Sequence, residues 1–400
     1  MIDATGKSYP SADRFESTDP EYPLGRFFGL CDVQRFNDFK YFVNEVNTRS
    51  EWQRGLIERY EYKEYALNPD TEYFHPMITY DDRMVYIMEN IVGLSDSDLS
   101  QYDKIGNTII SHFYGARGIH QIATRENEPK KAHVDFKNYF KSGEREFVRR
   151  NLELAGTAGL PIYGSTELRT SLFEAANIYQ VKRFGSSAER VHPGNIMDWV
   201  AGLGEDGMFE DMMNSNSSKE TFGILTRNRG IGSYYGFHCS TSNSVNPGLN
   251  WSNDENFVRP GPGSQYTLGI LFPKATKKEI TSGDLIIWFR HNQRFFGFDE
   301  VVIHESAHNV LDYKNDKILE KDQTEMMTYG SEVGMCQYGI FCRIRNDRKA
   351  IERRKVARVS NVDVAEELKK AEAKLSKNTN RVNLIDFFQD DPAVCQTQFG

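Results

Sequence analysis

The chain has 400 residues, long enough for two or three domains or for one mixed fold with arms and insertions. Its 39% hydrophobic and 26% charged residues are the balance of a folding globular chain and exclude a disordered one. With 49 basic against 57 acidic residues the net charge is −8, which argues against a surface that binds nucleic acid as a whole and leaves room for a local basic patch.

Residues 1–29, with Pro10, Pro20 and Pro23 and no sustained apolar period, read as an extended arm that orders only against a neighbour. Phe36, Phe39, Val43 and Val46 fall at helical spacing, and Trp52, Leu56 and Tyr60 predict a second short helix. Residues 61–92 alternate aromatics (Tyr62, Tyr65, Tyr73, Tyr80) around Pro69 and Pro76, the pattern of a protruding β-hairpin or loop. A long helix interrupted by Gly106, Gly115 and Gly118 is expected over 99–123. A second is expected over 144–155, ending at Gly156, and a third over 165–185, capped by Ser165 or Thr166 and ended by Gly185.

Beyond that helix the reading turns mixed. A strand is expected from Glu189 to His192, then a short helix opened by Pro193, then a turn-rich stretch over 214–265. Residues 284–303 read as a hairpin, with strands from Leu285 to Arg290 and from Phe295 to Ile303 around a turn at His291-Asn292-Gln293. Val333 to Ile344 reads as a strand and Val364 to Lys377 as a charged amphipathic helix before a polar tail.

No run approaches the roughly 18 apolar residues of a membrane helix, and the start at Met1 has no apolar core of a signal peptide. Cys31, Cys239, Cys336, Cys342 and Cys395 are scattered and form no Cys-x-x-Cys pair, so no disulfide framework is indicated and a reducing cytoplasm fits. One motif carries chemistry. In His304-Glu305-Ser306-Ala307-His308 two imidazoles four apart on a helix face can share a zinc ion while Glu305 takes a proton from metal-bound water, which resembles the zincin metallopeptidases. A metzincin-type third ligand is absent, since Leu311 and Lys314 stand where Gly and His are needed; Glu325 or Glu332 would have to serve instead. Basic clusters at Arg227-Asn228-Arg229-Gly230 and from Arg343 to Lys349, extended by Arg353-Arg354-Lys355, can meet phosphate or an acidic neighbour. Phosphate loops of the Gly-x-x-x-x-Gly-Lys-Ser/Thr type are absent, and Pro260-Gly261-Pro262-Gly263 reads as a turn.

As an ordered series, residues 165–345 resemble the major capsid proteins of tailed phages, the Hong Kong 97-type fold. The resemblance rests on the helix from Leu168 to Phe184, on Arg190-Val191-His192-Pro193 leading into a short helix, and on Ile231 to Asn243 as a Gly-Phe strand ending in Ser-Asn. Gly283-Asp284 as a turn, with Tyr329 to Gly334 and Tyr338 to Ile344 as returning strands, completes it. It implies an α+β fold with an N-terminal arm (1–30), a helical segment (31–60), an extended loop (61–98) and a peripheral domain with a spine helix (99–185). An axial domain (186–322), returning strands (323–349) and a C-terminal extension (350–400) follow. The expected function is then a non-enzymatic major capsid protein that self-assembles through hexamers and pentamers into an icosahedral shell. Its expected partners are a portal, scaffolding or cement proteins, and packaged double-stranded DNA enclosed non-specifically; no membrane is expected. The expected location is the virion, after assembly in the host cytoplasm. On this reading no residue is catalytic, cofactor-binding or metal-ligating and no cofactor is needed; a zinc metallopeptidase built on His304, Glu305 and His308 is the alternative.

Overall fold

Phe36, Phe39, Phe42, Val43 and Val46 recur at the spacing of one helix face, and all five are buried along a single helix, α1 (Val33–Gln53). The computed structural model describes residues 1–9, 17–53, 82–115, 118–141, 143–163, 170–185, 192–249, 256–275, 280–298, 326–346 and 363–377. Among them, extended pairing is confined to two isolated bridges, Ile2 with Ser8 and Gly115 with Tyr163, and everything else that is regular is helical. The expected α+β capsid fold is therefore corrected to a helical one.

Three segments expected as strands are helices. After α2 (Asp82–Ile87), which runs into a π-helical turn at Met88–Val92, come α3 (Gln101–Tyr114), α4 (Ile119–Thr124), α5 (Glu144–Ala158), α6 (Thr170–Phe184), α7 (Gly194–Glu205), α8 (Met208–Met213) and α9 (Ser218–Thr226). The expected Gly-Phe strand is α10 (Ser233–Ser244), and α11 (Pro262–Leu271) follows it. The expected hairpin at 284–303 is α12 (Ser282–Asn292), continued by a 3-10 turn at Gln293–Phe296; residues 299–303 lie outside the described residues. The expected returning strand is α13 (Thr328–Asn346), and α14 (Val364–Lys377) is the amphipathic helix read from the sequence.

Local chemistry explains each outcome. Leu285 to Phe289 form a continuous apolar run that suits a buried strand or a buried helix equally. The decision comes from Thr281 and Asp284, whose side chains and backbone amides bond reciprocally in a capping box that starts α12. Helix α3 starts with the Ser100 hydroxyl accepting from the Asp103 amide and stops at Gly115, whose φ of 64° admits the left-handed turn. Inside α3, Gly106 is a close approach rather than a break: a Cβ there would lie 2.4 Å from Phe136 Cδ2. Pro260-Gly261-Pro262-Gly263 likewise opens α11, and Gly263 and Gly339 let α11 and α13 touch. A Cβ on Gly263 would meet Cys336 Sγ at 2.5 Å, and one on Gly339 would meet the Gly263 carbonyl oxygen at 2.6 Å.

Two apolar cores result. The first joins α1, α2, α11, α12 and α13, with Phe36 stacked against Phe289 and Phe296. The second joins α3 to α9 and takes Val364, Leu368 and Ala371 of α14. Helix α10 serves both, turning Phe237 and Val245 to the first and Tyr235 and Cys239 to the second.

The N-terminal segment departs from the expected free arm. Leu24, Phe27 and Phe28 are buried in the first core, the Trp288 indole N–H donates to the Pro23 carbonyl, and the Thr18 amide donates to the His291 carbonyl. Its order comes from its own chain. The extended-loop tyrosines Tyr62, Tyr65 and Tyr73 lie outside the described residues, while the remainder of that expected loop, from Asp82, is the helical α2 and its π-turn. No helix among the described residues is long and apolar enough to cross a membrane.

Candidate functional site at the junction of the two cores

Where α2, α3, α10 and α13 meet, the apolar packing is interrupted by titratable side chains. His112, buried on α3, receives the Arg83 guanidinium at Nδ1 (3.2 Å) and faces the Ser242 hydroxyl of α10 at Nε2 (2.7 Å). A guanidinium only donates, so Nδ1 is the acceptor and Nε2 carries the proton in the neutral ring. Ser242 Oγ accepts from it and passes its own hydrogen to Met84 Sδ at 3.1 Å.

One turn earlier on α10, His238 lies 6.0 Å ring to ring from His112, with the Tyr234 ring tilted against it at 4.3 Å and the Tyr329 hydroxyl 3.4 Å from Nδ1. Three residues beyond Tyr329, Glu332 turns Oε1 to the first residues of α11, where it accepts from the Gly261 amide (3.0 Å) and the Ser264 hydroxyl (2.8 Å). The Gly261 Cα side faces the same pocket: a Cβ there would lie in ordinary van der Waals contact with Glu332 Oε1 and the Tyr234 ring. The group reaches the surface where α10 and α11 begin: Gly232, Ser233 and Pro262 are exposed and Tyr234 is half-buried.

Burial sets the protonation of these groups. It drives His112 well below the usual imidazole range, with the Arg83 charge and then His238 adding to the effect, and it takes His238 down to about 3, again helped by Arg83. Both imidazoles are therefore neutral near pH 7. Burial pushes the Glu332 carboxyl up, and the Gly261 and Ser264 hydrogen bonds only partly oppose it. An imidazole at about 3 is a weak base, whereas a carboxyl held above its ordinary range is the better proton acceptor of the two. Glu332 is the group here best matched to general acid–base work.

A second buried carboxylate is built differently. Asp198 on α7 accepts from the Tyr139 hydroxyl (2.9 Å), Arg145 Nε and Nη2 (3.1 and 2.9 Å), Arg149 Nη1 (2.7 Å) and Gln180 Nε2 (2.7 Å). Oδ2 takes the four donors from Arg145, Arg149 and Gln180 and Oδ1 takes the Tyr139 hydroxyl, so this group ties α5, α6 and α7 together.

The sequence motif and this cluster do not coincide. His304, Glu305 and His308 lie outside the described residues, as does Glu325; Glu332, the other residue considered as a third zinc ligand, is committed to Gly261 and Ser264. Among the described residues no group of three or more His, Cys, Asp or Glu could hold a metal ion. Of the basic clusters, Arg229 is paired with Glu174 at 2.7 Å and Arg343 lies over the Tyr266 ring, while residues 347–355 fall outside the described residues. Arg83, His112 and His238 belong to no local motif: Arg83 falls in the expected loop, His112 in an expected helix and His238 in an expected strand, and only packing makes them neighbours.

Residues 162–351 match the family model described as the helical domain of 5-hmdU DNA kinase. Neither the curated proteins nor the solved structures yield a match to the chain. The matched stretch is a little under half of the chain and runs from just before α6 through α13, so it holds Asp198, His238, Tyr329 and Glu332 and leaves out Arg83 and His112. It covers the same residues on which the capsid resemblance rested and overturns it. A kinase's helical domain points to an enzyme of DNA modification, against the expected non-enzymatic shell protein of a virion. The helical fold removes the strands the resemblance depended on.

Proposed function

We propose that the chain acts on DNA carrying 5-hydroxymethyl-deoxyuridine (5-hmdU), as part of an enzyme that modifies that base, with the junction cluster beside the reacting nucleotide. The observation that carries the reading is the match of residues 162–351, which takes in the helices α6 to α13 that supply most of the cluster. The chemistry of the cluster supports it. Phosphoryl transfer to 5-hmdU requires the hydroxymethyl oxygen to attack the γ-phosphorus of a nucleoside triphosphate while the hydroxyl proton passes to a base and the bond to the β-phosphate oxygen breaks, so that the nucleoside diphosphate leaves. Glu332, with its raised pKa, is the proton acceptor in this reading, and the Arg83 guanidinium, bonded to His112, is the cation of the cluster.

The test is a pair of duplexes identical except for one 5-hmdU in place of thymidine, incubated with γ-labelled ATP and digested to nucleosides for mass spectrometry. The expected result is tighter binding of the 5-hmdU duplex and a mass gain at that base alone. Glu332→Gln should lower the rate about 100-fold while leaving DNA affinity unchanged. Equal binding of both duplexes together with unmodified nucleosides would overturn the reading.

A further inference from the structure

The first turn of α11 holds a hydroxyl with more acceptors than it can serve. Ser264, fully buried, carries one hydrogen, and two oxygens lie within its reach: Glu332 Oε1 at 2.8 Å and the Gly261 carbonyl at 2.9 Å. The carbonyl does not depend on it, because the Gln265 amide already donates there at 3.0 Å as the first intrahelical bond of α11. Glu332 Oε1 also receives the Gly261 amide at 3.0 Å, a donor whose direction the backbone fixes. Of the groups on Oε1, the Ser264 hydroxyl is the one that can turn.

A hydroxyl so placed follows charge. A carboxylate is a stronger acceptor than a peptide carbonyl, so an ionised Glu332 draws the Ser264 hydrogen to Oε1. Once the carboxyl takes up a proton that advantage is lost, and the hydrogen swings to the Gly261 carbonyl by rotation about the Cβ–Oγ bond. No oxygen moves in the exchange, which is what a preorganised site requires. The titratable neighbours are Tyr234 and His238 of α10 and Tyr329 and Cys336 of α13. Arg290 and His291 of α12 are turned to Thr18, and Arg35 and Asp38 of α1 pair with each other. No charged side chain among the described residues adds to the effect of burial and of the two hydrogen bonds on Glu332.

We propose that Ser264 is a positioning residue for Glu332, its hydrogen passing between the Gly261 carbonyl and Oε1 so that the carboxyl gains and loses a proton with its oxygens held in place. The part Ser264 plays in turnover rests on the function proposed above, in which Glu332 takes the hydroxymethyl proton; the exchange itself does not. A purely structural role makes a different demand. A serine in the first turn of a helix, bonded only to the carbonyl at the helix start, steadies α11 and leaves the ionisation of Glu332 as it was. The two roles differ in one measurable quantity, the pH at which Glu332 ionises.

The test uses the full chain without DNA or ATP, so failure of base modification leaves it untouched. The infrared carbonyl band of protonated Glu332, identified as the band missing from Glu332→Gln, is followed between about pH 4 and pH 9. The expected result is that Ser264→Ala moves the midpoint up by about one pH unit, since the carboxylate loses a hydrogen bond that favours it. Ser264→Thr keeps the hydroxyl and should titrate as the parent does. Where the 5-hmdU duplex is modified, the rising limb of kcat/KM against pH should move by the same amount in Ser264→Ala, with KM for the duplex unchanged. An unchanged midpoint in Ser264→Ala, an equal shift in Ser264→Thr, or no Glu332 band at any pH would each overturn the proposal. Lower thermal stability of Ser264→Ala with an unchanged midpoint would overturn it in favour of the helix-start role. A shifted midpoint with an unshifted rate limb would uphold the exchange and overturn Glu332 as the proton acceptor.

Discussion

Asp198 and Glu332 are both carboxyl groups shut away from water, and they differ in what surrounds them. Asp198 meets two guanidinium groups, an amide and a phenol. Glu332 meets one backbone amide and one hydroxyl, neither charged, and burial raises its pKa. The first is therefore a structural knot of fixed donors, while the second is a carboxyl that burial holds above its ordinary range. The same amino-acid chemistry is directed to stability in one place and to reactivity in the other by its neighbours alone.

The largest expected effect is at the knot. Asp198→Asn should cost about 3 kcal/mol in urea denaturation, because Arg145 and Arg149 lose the buried carboxylate they share. A loss under about 1 kcal/mol would show that water already neutralises them and that the two carboxyl sites do not differ as described.

Next in size is the acid response of the junction. Imidazoles held neutral by burial contribute stability that is complete above the unfolded pKa near 6.5 and is lost as pH falls toward the folded value, about 3 for His238. Lowering the pH from 6.5 to 5 should therefore cost about 2 kcal/mol for His238. His238→Gln should flatten that part of the profile in denaturation midpoints at the two pH values; a parallel profile in the variant would place the acid sensitivity elsewhere, with His120 next, which burial also takes down to about 3.

Glu332 should show the opposite sign. A carboxyl whose folded pKa is raised contributes stability that is complete below its ordinary value of 4.5 and is lost as pH rises through the folded value. Glu332→Gln keeps an acceptor for Gly261 and Ser264, so it should equal the parent at pH 4 and be more stable by about 1 kcal/mol at pH 7. Destabilisation at pH 7 would mean that the carboxylate is anchored as Asp198 is. The smallest effect belongs to an exposed relative of both: Glu372 on α14 bonds Arg150 and Arg125 in contact with water. Glu372→Gln should change stability by no more than about 0.5 kcal/mol, and salt should weaken what remains.

Where apolar period and end signals agree, the chain declares its helices. The spacing of Phe36, Phe39, Val43 and Val46 gives α1, Pro193 precedes α7, and the pattern from Val364 gives α14. The interruption expected in the helix over 99–123 falls at Gly115 and Gly118, both with positive φ, as a glycine break requires. Gly156, expected to stop α5, lies inside it; the stop is Gly159, which alone of the two has the left-handed φ.

The rest was decided by packing. Leu285 to Phe289 and the segment from Val333 to Phe341 are apolar enough to be buried in any conformation, and apolar period does not separate a buried strand from a buried helix; the Thr281–Asp284 capping box marks the first as a helix, and no such signal marks the second. Glycines that look like turns proved to be contacts between helices, at Gly106 with Phe136 and at Gly263 with Cys336, because the partner that demands a missing Cβ lies elsewhere in the chain. An ordered series of such ambiguous segments therefore carried a capsid resemblance that the helices remove. The candidate site shows the same division. His304-Glu305-Ser306-Ala307-His308 is visible because its chemistry is local, at one helical spacing. Arg83, His112, His238, Tyr329 and Glu332 come from four helices, and what makes them a site is desolvation. Composition and period determine which residues go inside; only the assembled fold determines which polar groups are carried in with them, and whether a cation waits there.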